Sequence, residues 1–340
     1  MTILLGILLI VCLWKLKIPG YHPDFLSSSG TLPIKGVFTF LVLYSHMRGY
    51  VTLTDSWVNS IYCSVQDRLG QLIVAMFMFY SGFGIWESFT QKPDYEHSFL
   101  KRRFLKTLMH FEIVVVAFIM VQSLIPITYP LRNYLFCWIG WESVGNSNWF
   151  IFDILVLYLI SFIAMSLHRR GGYGGILISF ILTLALWLFL RRAGKAAWWI
   201  DTLTAFPLGM FFSRIKPKLQ ELLSKKRMPY FLTAVFFVLW GVTFKTFGGV
   251  DIYGVTTCMF CCLIVMGSSW VRIGNPILDW AGKNLFSIYM LQRLPMLVLT
   301  ALGVNENPVM FIILSVVLTC LLAEFLSRLL TQIDAKLFNA

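Results

Sequence analysis

Apolar residues recur along the chain in runs of about twenty, parted by short polar or basic loops. A run of that length crosses a bilayer core as a helix, and the short alternating segments of a β-barrel are absent. Runs near 69–88, 107–126, 149–167, 174–190, 198–213, 229–247, 252–270, 284–303 and 309–330 predict nine spans. Residues 35–50, KGVFTFLVLYSHMRGY, predict another. Residues 1–14 form a shorter apolar run; no small-residue cleavage site follows it, so it is expected to persist as a first span. The chain reads as all-α, a polytopic transmembrane helical bundle of eleven spans.

The span at 35–50 carries two groups that lipid disfavours, Lys35 and His46. On a helix they share one face, about three turns and roughly 16 Å apart, half the thickness of a bilayer core. A snorkelling lysine and a histidine satisfied by a neighbouring helix would account for the pair. So would a site.

Composition agrees with the pattern: 58% hydrophobic and 13% charged, with mean hydropathy +0.76, lies outside the range of soluble domains. The net charge of +12 sits in short loops rather than on one soluble face, so nucleic acid is not an expected partner. Placing the N-terminus outside puts twenty of the 28 basic residues on the cytoplasmic side, Arg169 and Arg170 among them, as the positive-inside rule asks. Lys35 then stands at the cytoplasmic edge and His46 toward the outer half. The longest loops, near 52–66 and 127–148, leave no room for a soluble domain. Cys258, Cys261 and Cys262 cluster inside a span without His or acidic partners, so no metal is expected. Cys63 and Cys137 fall in outer loops, where a disulfide stays open.

Arg293 is a further intramembrane charge, beside Gln292 in the middle of the run 284–303. Its expected partner is Asp153, chosen over Glu87, Glu112 and Glu324. Gly145-Asn146-Ser147-Asn148-Trp149 opens a helix at the outer surface, with Ser147 or Asn148 as N-cap. Asn148 and Trp149 also suit sugar binding at a membrane mouth. His110 and Glu112 are read as packing partners.

Lys35, ten residues and His46 together resemble the Arg-x10-His signature of the membrane acyltransferase-3 family of bacterial O-acyltransferases. Phe79-Tyr80-Ser81-Gly82-Phe83 resembles that family's Phe-Phe-x-x-Ser-Gly-Phe element, one residue shorter before the serine. Leu100-Lys101-Arg102-Arg103-Phe104-Leu105-Lys106 resembles its basic loop, and Trp149-Phe150 with Tyr158, and Ser287-Ile288-Tyr289, resemble two later landmarks. The likeness runs in order from about residue 21 to 330. Three departures stand out. Lys35 replaces an arginine and loses its planar fork. Met109-His110 stands where a proline often follows the basic loop, and Gln292 stands where a histidine is common.

The resemblance implies a ten-span core over 34–330, an added N-terminal helix and linker over 1–33 and a cytoplasmic tail over 331–340, in a bacterial plasma membrane. It implies transfer of an acyl group, often acetyl, from cytoplasmic acyl-CoA to a hydroxyl of a cell-surface or cell-wall glycan. His46 is then the expected base or nucleophile, and Ser81 with the Gly82 backbone the expected oxyanion donor. Lys35, Arg102, Arg103 and Lys106 would hold CoA phosphates, while Asp153, Arg293, Gln292, Asn148 and Trp149 would meet the acceptor. Topology alone would explain the basic loop, and close helix packing would explain Ser81-Gly82. A transporter or flippase for a polar or lipid-linked substrate could use the same intramembrane charges, and a family member without turnover could serve as a sensor.

Overall fold

A computed structural model describes residues 1–53, 57–168, 172–247 and 252–338; among them every named element is helical, and the one extended pairing is an isolated bridge between Lys17 and Arg272. Arg169 and Arg170 lie outside the described residues. Six helical stretches are long and apolar enough to cross a membrane: Asn59–Gln91, Tyr95–Gln122, Trp149–Leu167, Tyr173–Arg192, Met228–Phe247 and Pro308–Leu337. Thr2–Leu13, Tyr253–Ser268 and Leu285–Ala301 are apolar but shorter.

The elements run in chain order as α1 (Thr2–Leu13), α2 (Ser28–Met47), α3 (Trp57–Leu69) and α4 (Leu72–Gln91). Next come α5 (Tyr95–Phe99), a π-helical turn (Leu100–Leu105), α6 (Lys106–Gln122), α7 (Leu131–Phe136) and α8 (Trp149–Leu167). Then follow α9 (Tyr173–Arg192), α10 (Ala205–Leu223), α11 (Met228–Phe247) and α12 (Tyr253–Ser268). The chain ends in α13 (Pro276–Lys283), α14 (Leu285–Leu291), α15 (Arg293–Ala301) and α16 (Pro308–Leu337).

Helices α2, α4 and α8 are buried along most of their length, whereas α11 buries only Pro229. The apolar side chains left outside, such as Ile181, Phe237, Val238 and Leu321, are those that face acyl chains in a bilayer. Two close helix pairs fix the centre, each by reciprocal glycines. A Cβ on Gly82 of α4 would collide with the Phe206 carbonyl of α10, and one on Gly209 of α10 with the Phe79 carbonyl. Gly36 of α2 and Gly282 of α13 meet the Leu278 and Leu32 carbonyls in the same way. Small residues let these backbones touch where lipid gives no hydrophobic drive to associate.

Three expectations change. The outer loop 52–66 contains part of α3, whose Tyr62 hydroxyl donates to the Tyr44 carbonyl (2.5 Å) and whose Asp67 pairs with Arg48 (2.7 Å). The run 198–213 becomes a 3-10 turn at Ala197–Trp199 followed by α10, which continues into Lys216 because Glu87 neutralises that lysine at 2.5 Å. The run 284–303 is broken at Gln292: Pro295 has no N–H for the Leu291 carbonyl, so the ladder fails there. All seven cysteines are free, and Cys137 is buried, so the disulfide left open by the sequence is not formed.

Candidate active site

Two cavities approach each other through the centre of the bundle. The inner one, about 800 Å³, is lined by the first turns of α2 and α8, the C-terminal half of α4, Lys216 of α10 and the α13–α14 junction. Five cations face it, Lys35, Lys92, Arg103, Lys216 and Lys283, against one carboxylate, Glu87. Lys35 Nζ lies 5.3 Å from the centre of the Tyr80 ring. The π-helical turn carries the basic motif. It brings Arg103 to the cavity, where Nε donates to the Tyr95 hydroxyl (3.3 Å), whereas Arg102 does not line it. Lys106 does not line the cavity; it pairs with Asp334 of α16 (2.6 Å). His110 bonds the other Asp334 oxygen (2.8 Å), so this cluster fastens α6 to α16.

The outer cavity, about 680 Å³, contains His46, Arg293, Asn148, Trp149, Tyr289 and Lys195 in its lining. The loop between α6 and α8 folds over it and contributes Tyr129, Asn133, Trp141, Glu142 and Ser143. His46 Nδ1 is buried without a partner. Gln292, which lies within interaction range of that ring, is fully buried; its Nε2 donates to the Tyr289 carbonyl (3.1 Å) and its Oε1 is unpartnered.

Arg293 has no carboxylate partner among the described residues. Its Nε donates to the Tyr50 hydroxyl (3.1 Å) and Nη1 to the Asn146 carbonyl (3.5 Å), both neutral acceptors. The expected pairing with Asp153 is therefore absent. Asp153 is completely buried with both carboxyl oxygens unpartnered, and it lines neither cavity. Asn148 does not cap α8 with its side chain; Nδ2 donates instead to the Gly140 carbonyl (2.8 Å), bracing the outer loop. The hydroxyl of Ser147 makes no cap either.

Lys195 and its tryptophans escaped sequence reasoning. Its ammonium lies 3.8 Å from the centre of the Trp141 ring and 4.3 Å from that of Trp199, and donates to the Trp141 carbonyl (2.7 Å). Burial lowers the Lys195 pKa, while nearby Glu142 pushes it back up. A lysine on the outer side, against the positive-inside bias, followed by a Trp-Trp pair, was the available signal. Lys92, Lys216 and Lys283 were read for topology only.

The partition between the cavities is thin and aromatic. Val74 of α4 faces the outer cavity and Phe77 the inner one, a rise of about 4.5 Å. Phe77 packs edge-on against Phe150 (centroids 6.3 Å apart), Phe150 lies 5.2 Å from Tyr289, and Tyr289 lies 6.3 Å from His46. Ser81 stands on the inner side, with its hydroxyl donating to Tyr158 (3.3 Å), so it does not share a cavity with His46.

A family model of the acyltransferase-3 type, described as an acyltransferase domain, matches residues 34–328. No curated protein and no solved structure matches the chain.

Proposed function

The chain belongs to the acyltransferase-3 family, and from that premise we propose that it is an integral membrane O-acyltransferase working across the bacterial plasma membrane. It crosses the membrane eleven times, with α1 as the first crossing, α13 to α15 together as the tenth and α16 as the last. The acyl group, acetyl in the first instance, comes from acyl-CoA bound in the inner cavity and goes to a hydroxyl of a cell-surface glycan in the outer one. One observation carries this reading: a cavity facing five cations meets a cavity holding a histidine and a carboxylate-free arginine across one turn of α4.

CoA is recognised by its phosphates, for which Lys35, Lys92, Arg103 and Lys283 supply the charge, Lys216 being paired with Glu87. Its pantetheine arm then points the thioester at the partition. The outer cavity suits a sugar, because Trp149 and Trp198 offer ring surface to it with polar groups between them.

His46 acts as general base. Closing the unpartnered His46 Nδ1–H onto the unpartnered Gln292 Oε1 fixes the tautomer and leaves the Nε2 lone pair for the acceptor hydroxyl. The hydroxyl oxygen attacks the thioester carbonyl as its proton passes to Nε2. Arg293, unneutralised beside the site, stabilises the oxyanion, the role first assigned to Ser81. The C–S bond breaks, the imidazolium returns the proton to the thiolate, and ester and CoA–SH are released.

The test is CoA release by the full-length protein in lipid, with acetyl-CoA and a panel of glycan fragments. Wild type releases CoA faster with an acceptor, and His46→Ala loses at least about a hundredfold of that rate. Intact acetyl-CoA alongside uptake of a glycan or lipid-linked sugar would replace this reading with a transporter.

A further inference from the structure

A third cavity, about 290 Å³, lies where the N-terminal segment meets the matched domain, and shares no lining residue with the other two. Lys15, Lys17, His22, Ser29, Ser268, Arg272 and Asp279 contribute its polar lining. Four of these seven precede residue 34, where the family match begins.

The site is built. Lys17 and Arg272 exchange backbone hydrogen bonds (2.9 Å each), which fixes the two cations side by side. Lys15 is held at φ 63°, a left-handed backbone that a lysine adopts only under constraint from its surroundings. Asp24 is already engaged by Arg272 and by His22 Nδ1 (3.1 Å). Lys15 and Lys17 have no carboxylate partner among the described residues. His22 is nine-tenths buried and its Nε2 has no partner. The first turn of α2, with Ser29 and Gly30, completes the lining and adds the positive end of a twenty-residue helix.

We propose that this cavity binds the phosphodiester of an anionic phospholipid from the cytoplasmic leaflet. The surroundings select lipid over soluble phosphate. Helix α1, which leads into Lys15, leaves Ile3, Ile7, Ile10 and Leu13 exposed along its length. Trp14 follows at its end, half exposed, with Lys15 over its ring (5.2 Å). An exposed apolar helix ending in Trp-Lys is the arrangement that receives acyl chains along its side and a headgroup at its end. Asp279 accepts from a headgroup hydroxyl such as that of phosphatidylglycerol. The bound lipid ties α1 to the α12–α13 loop and α2, joining the added segment to the core.

The experiment uses full-length protein in nanodiscs of phosphatidylcholine, alone or with one fifth phosphatidylglycerol, extracted into mild detergent and weighed intact by mass spectrometry. Wild type retains one phosphatidylglycerol and no phosphatidylcholine, and Lys15→Gln with Lys17→Gln lowers the retained fraction about tenfold. Ser29→Glu guards against a folding artefact: an acidic residue in the first helical turn favours the helix yet puts negative charge into the cavity. It must lose the lipid while keeping, in phosphatidylcholine alone, the wild-type melting temperature. Equal retention of both lipids, or retention unchanged in all variants, overturns the proposal. So does binding of inorganic phosphate at millimolar concentration without lipid retention. The readout involves no acyl transfer, so it stands or falls apart from the reaction proposed above.

Discussion

Two arginines one residue apart, Arg102 and Arg103, carry the same charge in the sequence and different consequences in the fold. Both lie toward the surface, but Arg103 lines the inner cavity and Arg102 does not, because consecutive helical side chains point about 100° apart. Lys35→Ala and Lys283→Ala should each raise KM for acyl-CoA about tenfold with kcat nearly kept, since a charged hydrogen bond is worth about 1.5–3 kcal/mol at most. Arg102→Ala should stay within about twofold, and steady-state kinetics at fixed ionic strength checks all three. Lys195 has a different signature. Its pKa is lowered by burial, so it loses its proton at a lower pH than an ordinary lysine. Acceptor KM should be constant on the acid side and rise once pH passes through that lowered value; Lys195→Arg, whose charge persists, should keep KM flat further into alkali. The vertical placing of Lys35 and His46 was readable from helical spacing alone, because rise per residue is fixed. Lateral partners were not: Arg293 found Tyr50 and Asn146, and nothing in the order of residues points to either.

Among the elements, the apolar runs that became α8, α9, α11 and α12 agree with the sequence within three residues at each end, since burial and lipid both reward one continuous apolar helix. The departures fall where polar residues enter the bundle. Helix α3 was hidden because its exposed face reads as loop, and α10 extends past the apolar run because Glu87 of α4 pairs with Lys216 and accepts from the Ser213 hydroxyl (2.9 Å). Ser81-Gly82 resolves into two jobs. Gly82 packs against Phe206, as its close-packing reading implied, while Ser81 turns to Tyr158. Gly209→Val should therefore part α4 from α10 and lower the melting temperature by ten degrees or more, order of magnitude, with loss of monodispersity. Gly241→Ala, on lipid-facing α11 with open space at its Cβ, is the matched control and should melt as wild type does. Scanning fluorimetry in detergent reads both.

At the scale of the whole molecule, the proposed reaction has donor and acceptor approach from opposite sides, so that only a small acyl group crosses. The cationic inner cavity and the aromatic outer one keep the two substrates apart, so sidedness is a direct expectation. In liposomes holding the protein in one orientation, acetyl-CoA should be consumed only when supplied on the face of Lys35 and Lys283, and the acceptor used only on the face of Trp149 and Lys195.

The partition of Phe77, Phe150 and Tyr289 has a cost for the cell that lies outside catalysis. A passage wide enough for two carbons is wide enough for a file of water, and a file of water conducts protons. Under the proposed reaction the rings therefore act as a seal that opens only when the acyl donor fills the gap, so that the membrane's ion gradient survives each turnover. Trimming them, as in Phe77→Ala with Phe150→Ala, should turn the enzyme into a proton leak in energised vesicles, toxic in proportion to its expression.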